Sequence, residues 1–278
     1  MKTILITGAT SGIGLEAAVA LARLGNRLVL VGRDQKKMNA AVDEVKRRAG
    51  VAAPDSWLCE FGSQAQIRKL AADVLAKYDR LDVLVNNAGL ATRRREVTED
   101  GIECTLAVNH LGPFLLTNLL LDLLVKSAPA RVVNVASVEH YHATMDLSDL
   151  GYERGGWNMR KAYARSKLGN VMFTRALAKR LEGKGVTVNA VHPGAVATGI
   201  WDVAPGWTQP LIWLLKKLIM ITPEKAAKSI VHLALSAEVE GKTGLYFNQL
   251  KPKEPSKPAL DDALAERLWA ESARLVKL

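Results

Sequence analysis

Tyr163 and Lys167 stand four residues apart in the stretch AYARSKLGN, which reads as a helix. Side chains at that spacing share one face of a helix, so a phenol and an ammonium group would lie side by side. A free phenol titrates near ~10, too high for a base at neutral pH, unless a neighbouring positive charge stabilises the phenolate. The pair therefore suggests a tuned acid/base, although tyrosine and lysine at this spacing also occur by accident on exposed helices. The rest of the chain has to decide between the two.

A second group of residues points to a phosphate. The apolar run TILIT leads directly into GATSGIG, where Gly8, Gly12 and Gly14 are interleaved with Ser11 and Ile13 and followed by an alanine-rich helical pattern. A strand, a tight glycine turn and a helix N-terminus bring backbone N–H groups and the positive end of the helix dipole onto a pyrophosphate. Glycine turns alone are common, but this one lies at the first strand-to-helix junction of a βαβ unit, where it marks a dinucleotide site. The second strand ends VLVGRD. The residue at that tip meets the adenosine ribose, where a carboxylate suits a bare 2′-hydroxyl and an arginine suits a 2′-phosphate. Arg33 favours NADP(H), with Lys37 one helical turn on as a second cation. Asp34, one residue later, would favour NAD if the register shifted, and NAD is kept as the weaker alternative.

The elements that must position these groups alternate along the chain. TILIT, RLVLVG, DSWLCEF and LDVLVNNAG are apolar runs separated by helical patterns; after them come a long apolar helix expected from about Gly101 to Lys126, then ARVVNVAS, the helix around Tyr163, VTVNAVHPG and a late GLYF. Continuous apolar strands between helices of this length indicate a parallel sheet covered on both faces. The expected fold is a doubly wound α/β Rossmann fold of about seven strands, in a single domain over residues 1–278. Residues 201–222, rich in Trp and Leu, read as a lid over the substrate; residues 251–278 read as a connector and a C-terminal helix.

Composition narrows the function classes. With 49% hydrophobic and 24% charged residues the chain reads as a soluble globular protein. Cys59 and Cys104 form neither a disulfide framework nor a metal motif, so a reducing, cytoplasmic setting and no metal site are expected. The start lacks the h-region of a signal peptide, and no apolar run reaches the ~18 residues of a spanning helix, since LIWLLKKLIMI is broken by Lys216 and Lys217. Residues 207–222 could nevertheless rest peripherally on an anionic membrane surface. The net charge of +10 is scattered in short clusters without a nucleic-acid motif, so no nucleic-acid partner is expected.

Further segments complete a resemblance. NNAG at Asn86 to Gly89, VNHLGPFLLT from Val108, VVNVAS ending at Ser137, the Tyr163 and Lys167 pair, and HPG at His192 to Gly194 with Thr198 beyond it follow the glycine turn in this order. Together they resemble the short-chain dehydrogenase/reductase superfamily over nearly the whole chain. Within it, NHLGPFLLT, YARSKLGN, VHPGAVAT and Arg33 are most similar to the retinol dehydrogenase-like branch, which includes relatives of protochlorophyllide reductase. One departure is CEF at Cys59 to Phe61, where the family usually has an aspartate before a leucine.

The resemblance implies an oxidoreductase that interconverts an apolar alcohol and its aldehyde or ketone. Its catalytic residues would be Asn109, Ser137, Tyr163 and Lys167. Tyr163 would pass a proton to the carbonyl oxygen, Ser137 would hold that oxygen, Lys167 would lower the phenol's pKa, and Asn109 would help hold a water that links the lysine to solvent. It also implies cofactor contacts from Glu60 and Phe61, from Asn87, Ala88 and Gly89, from Tyr163 and Lys167, and from Pro193, Gly194, Val196 and Thr198. His110, His140, His142 and His192 have no task in this chemistry and read as structural or surface residues. The apolar surplus of the helices from Gly101 and around Tyr163 suggests subunit pairing, hence a homodimer or homotetramer. The rival reading is a catalytically idle NADP-binding sensor or scaffold of the same fold.

Overall fold

The computed structural model describes residues 1–195 and 221–278. β1 (Thr3–Thr7) runs between β2 (Arg27–Gly32) and β4 (Val83–Asn86), parallel to both. With β3 (Asp55–Leu58), β5 (Ala130–Val135), β6 (Val186–His192), β7 (Tyr246–Asn248) and β8 (Lys251–Pro252) the sheet has the order β3-β2-β1-β4-β5-β6-β7-β8. This is the expected doubly wound fold, with one strand more than about seven. The extra strand is β8, which folds back antiparallel on β7 in what sequence reading took as connector.

Alternation along the strands feeds two apolar layers. Leu5, Leu84, Val132 and Val188 face one layer; Ile4, Ile6, Val83, Val85 and Val133 face the other. Both faces of these strands are buried, which is why their sequences run apolar without a break. The second layer is closed by α1 (Gly12–Arg23), α2 (Gln35–Ala49) and α8 (Pro223–Leu235). The first is closed by α3 (Gln64–Lys77), α5 (Gly112–Leu119) and α7 (Met159–Arg180).

The helix expected from Gly101 to Lys126 is instead broken. A short α4 (Cys104–Leu106) passes into a π-helical turn at Ala107–Leu111, then α5, and a further break at Leu120 precedes α6 (Leu121–Lys126). Pro113 sits in the first turn of α5 and has no N–H to donate back, so the α-helical ladder cannot run through this point. The π turn widens the helix around Asn109, and such turns recur at functional sites.

At the C-terminus, α9 (Lys257–Leu260) leads into α10 (Asp262–Val276), which lies against α7 and α5 of the same chain. Trp269 meets Phe114 and Phe173 with ring centres 4.9 and 5.7 Å away, and Leu268 and Ala265 are buried beside it. α10 thus covers Phe114 and Phe173, part of the apolar surplus on which subunit pairing was expected, from within the same chain. Among the described residues no helix is long and apolar enough to cross a membrane.

Candidate active site

Strand order reverses at β1 and β4, so the loops leaving their C-terminal ends diverge and open a crevice. Thr7, the last residue of β1, holds the two ends together. Its Oγ1 donates to the Val85 carbonyl at 3.3 Å and accepts from the amides of Asn87 and Ala88, each at 3.0 Å. The Asn87 side-chain Nδ2 returns the contact, donating to the carbonyls of Thr7 and Gly8 at 2.9 and 3.1 Å. Gly14 packs into this junction: a Cβ there would stand 2.3 Å from the Gly8 carbonyl oxygen and 2.5 Å from Asn87 Nδ2. Gly8 and Gly12 have φ of 65° and 55°, the left-handed conformation that glycine adopts without strain.

The turn fits a pyrophosphate. Ser11 is the N-cap of α1, yet its side chain makes no capping bond, and the first turn of α1 carries no acidic residue. The helix thus presents its N-terminal amides without a side-chain acceptor of its own, the arrangement that suits an anion. Ile13 is half-buried beside them.

At the tip of β2 the structure separates Arg33 from Asp34. Asp34 is the N-cap of α2 and accepts from the Lys37 amide at 2.8 Å, so one oxygen of its carboxylate is held by the helix start. Arg33 and Lys37 are exposed. Arg33 pairs with Glu60 at 3.3 Å across the strand tips, an exposed contact of small energetic weight that an incoming phosphate can displace. Glu60 also accepts from the Gly62 amide at 3.2 Å. Phe61, expected at the cofactor, turns its ring inward: it is buried in the apolar core, and a Cβ on Gly112 would touch that ring at 2.9 Å. Of the CEF segment, only the Glu60 side chain reaches the crevice rim.

The residues expected to be catalytic gather beside the β4 and β5 ends. Ser137 follows β5 and caps the short 3-10 turn Val138–His142, its Oγ accepting from the Glu139 amide at 3.2 Å. Tyr163 and Lys167 share a face of α7, as their spacing requires; Lys167 Nζ lies 5.5 Å from the Tyr163 ring centre and donates to the Val135 carbonyl at 2.9 Å. Asn170, one turn further, donates to the same carbonyl at 3.3 Å. A Cβ on Gly89 would stand 3.3 Å from Asn109 Oδ1 and 3.5 Å from Lys167 Nζ, which brings the NNAG loop, the π turn and α7 to one point. The Asn109 amide exchanges two hydrogen bonds with the backbone of Leu90, at 2.8 and 2.9 Å, and donates to Ser166 at 3.1 Å. Its side chain thus fixes the loop after NNAG to α7.

Electrostatics correct one expectation. Burial pushes the Tyr163 phenol up to about 12, against a smaller downward pull from its hydrogen bond with Ser137. Lys167, also buried, is pushed down to about 8. The lowering of Tyr163 by Lys167 is thus absent from the cofactor-free site, because the ammonium group points to the Val135 carbonyl and loss of water disfavours both charges. His110 and His192 are buried and held down to about 4, and His140 is also lowered by burial, so these three remain neutral near pH 7.

The HPG segment closes the same end of the sheet. Pro193 and Gly194 are buried, and Gly194 has φ 110°; a Cβ there would meet Ile221 at 2.4 Å. Ile221 donates to the Ala195 carbonyl at 2.9 Å, so the chain on either side of 196–220 is joined at this point. Val196, Thr198, all of the expected lid except Ile221 and Thr222, and nearly all of the expected membrane-facing stretch lie outside the described residues. Sequence reading missed Thr7, Asn170 and the Val135 carbonyl. The first could have been noticed as the polar end of an apolar strand; the others carry no signal until the fold is closed.

Comparisons with known proteins give the family. A family model described as short chain dehydrogenase matches residues 2–207. Retinol dehydrogenase 13 of Homo sapiens is 42% identical over 285 residues, which cover 100% of this chain and 85% of that protein. Retinol dehydrogenase 14 of Mus musculus is 40% identical, over 99% of this chain and 86% of that protein. Among solved structures, an uncharacterised protein from Mycobacterium paratuberculosis superposes with a TM-score of 0.80 at 28% identity, covering 100% of this chain and 94% of the other. A variant of actinorhodin polyketide ketoreductase, solved with NADPH, gives 0.68 at 29% identity, covering 89% and 95%.

Proposed function

The chain belongs to the short-chain dehydrogenase family, in its retinol dehydrogenase-like branch, and from that premise we propose that it is an NADP(H)-dependent oxidoreductase of apolar alcohols and the corresponding aldehydes or ketones. The observation that carries the reading is the convergence of Ser137, Tyr163 and Lys167 on a crevice whose other wall is the glycine turn. Arg33 and Lys37, exposed at the β2 tip where Asp34 caps α2, favour the 2′-phosphorylated cofactor. The NADPH of the ketoreductase neighbour supports the same choice. The names of the relatives and the tryptophan- and leucine-rich sequence at 201–222 support an apolar substrate.

The amides at the start of α1 would hold the pyrophosphate, Arg33 and Lys37 the 2′-phosphate, and Lys167 the nicotinamide ribose. When bound, the cofactor supplies or accepts the hydride. In the reducing sense, Tyr163 donates its phenolic proton to the substrate oxygen as that oxygen gains charge, and Ser137 steadies the oxygen with its hydroxyl. A phenol held near about 12 is fully protonated at neutral pH and is still a stronger acid than an alcohol, so the transfer runs downhill. In the loaded site Lys167, on the same face of α7, would stabilise the phenolate left behind until it is reprotonated from solvent.

The reading is tested by following NADPH consumption against a panel of apolar aldehydes and ketones, with NADH in parallel. Turnover that prefers NADPH is expected. NADPH binding without turnover of any member would favour the idle cofactor-binding alternative.

A further inference from the structure

His140 lies three residues after Ser137 and is fully buried. It reaches back twice to the same oxygen: its backbone N–H donates to the Ser137 carbonyl at 3.2 Å, and ring Nδ1 lies 2.7 Å from that carbonyl. A carbonyl oxygen only accepts, so Nδ1 carries a proton. On the far side of the ring, the Ser256 amide N–H points at Nε2 from 3.1 Å, so Nε2 must be a bare acceptor. Both neighbours thus specify one neutral tautomer, and a second ring proton would face the Ser256 donor.

The ring has no freedom to turn. Tyr141 and Tyr246 flank it with ring centres 4.1 and 4.6 Å away, and the Tyr141 hydroxyl donates to the Glu254 carbonyl at 2.5 Å. Ser256 and Glu254 belong to the segment between β8 and α9, more than a hundred residues further along the chain.

We propose that His140 is a positioning residue for Ser137: it joins the segment carrying Ser256 to the Ser137 carbonyl and so fixes the direction in which the Ser137 hydroxyl is presented to the substrate oxygen. Ser137 needs such support. It is the last residue before the 3-10 turn, in extended conformation, and among the described residues its Oγ has the Glu139 amide and the Tyr163 phenol to orient it. A peptide plane pinned at its carbonyl leaves the side chain one well-defined exit from the backbone. The C-terminal segment thereby becomes part of the active-site scaffold, although none of its residues touches the reacting groups.

The proposal rests on the enzyme reading above, and a double-mutant cycle separates the two. His140→Phe keeps an aromatic ring between Tyr141 and Tyr246 but removes both ring hydrogen bonds. His140→Gln, whose amide can both donate and accept, is the conservative partner and also serves if the phenylalanine variant folds poorly. Steady-state kinetics with NADPH and the best carbonyl of the panel are compared for these variants in the native and the Ser137→Ala backgrounds. Expected are a fall in kcat on the order of tenfold for His140→Phe, the rate equivalent of losing a hydrogen bond at a reacting group, with KM for NADPH unchanged. Glutamine should recover part of the loss, and the penalty should vanish once Ser137 is alanine. The same fold-loss in both backgrounds, or no loss of kcat, would overturn the proposal while leaving the enzyme reading intact. Absence of turnover by the unmodified protein would overturn both.

Discussion

The Lys167 ammonium nitrogen lies 5.5 Å from the centre of the Tyr163 ring and makes its hydrogen bond to the Val135 carbonyl. The two groups share a face of α7, but in the cofactor-free protein burial dominates both, raising the phenol to about 12 and lowering the amine to about 8. Any lowering of the phenol must come when the site is loaded, as new charges and hydrogen bonds replace the water that burial removed. The phenolate absorbance of the cofactor-free protein, minus that of Tyr163→Phe, should therefore show no Tyr163 titration below about pH 11. A phenolate appearing between pH 7 and 9 would contradict this.

The buried histidines make stability fall in acid. Burial holds His110 and His192 down to about 4 in the fold against 6.5 when free, and shifts His140 in the same direction. Between those values the unfolded chain binds more protons than the folded one, so stability is lost as pH falls from 6.5 towards 4. At pH 5, unfolding should take up about two protons from His110 and His192, with His140 and the carboxylates adding to that number. Denaturant unfolding measured across this range gives the proton uptake directly; an uptake below one would contradict the burial of these rings.

Arg33 should set the cofactor choice. Among the described residues it pairs with Glu60, and its own side chain is largely open to solvent. Arg33→Ala should weaken NADPH binding by roughly tenfold or more, the value of a charge-assisted phosphate contact, and leave NADH nearly unchanged. Titration of cofactor fluorescence reads both. Equal losses for the two cofactors would move the 2′-phosphate contact away from Arg33.

α10 should keep the protein monomeric. Trp269 covers Phe114 and Phe173, Arg180 stacks on Trp269 at 3.9 Å and pairs with Glu266, and Lys179 pairs with Asp262 at 2.6 Å. The helix face that would otherwise seek a second subunit is satisfied within the chain. Light scattering at micromolar concentration should give the mass of one chain, and removal of residues 262–278 should cause association. A dimer of the intact chain that persists on dilution would contradict this.

Much of the site was legible because its chemistry depends on residue types at fixed spacing. Tyr163 and Lys167 could be paired from helical periodicity, and the glycine turn from its place after an apolar strand. What stayed hidden was decided by contacts distant in sequence or by local competition. Asp34 reads from sequence as a rival for the ribose, and its second task as the cap of α2 shows only once the helix start is placed. Phe61 sits beside a residue at the rim, yet its ring turns into the core. Pro113 breaks a helix that apolar periodicity alone extends through it. The partner of His140 is 116 residues away, and the cover of α7 is supplied by the last helix of the chain, neither of which local pattern can reveal.

Proton transfer by Tyr163 is the central claim, and Tyr163→Phe tests it with the loss of a single oxygen. NADPH oxidation with an apolar carbonyl should be rapid in the unmodified protein and should fall by at least about a hundredfold in the variant, the usual worth of a positioned general acid, while NADPH binding persists. A variant that keeps most of its turnover would contradict the account and place the proton donor elsewhere.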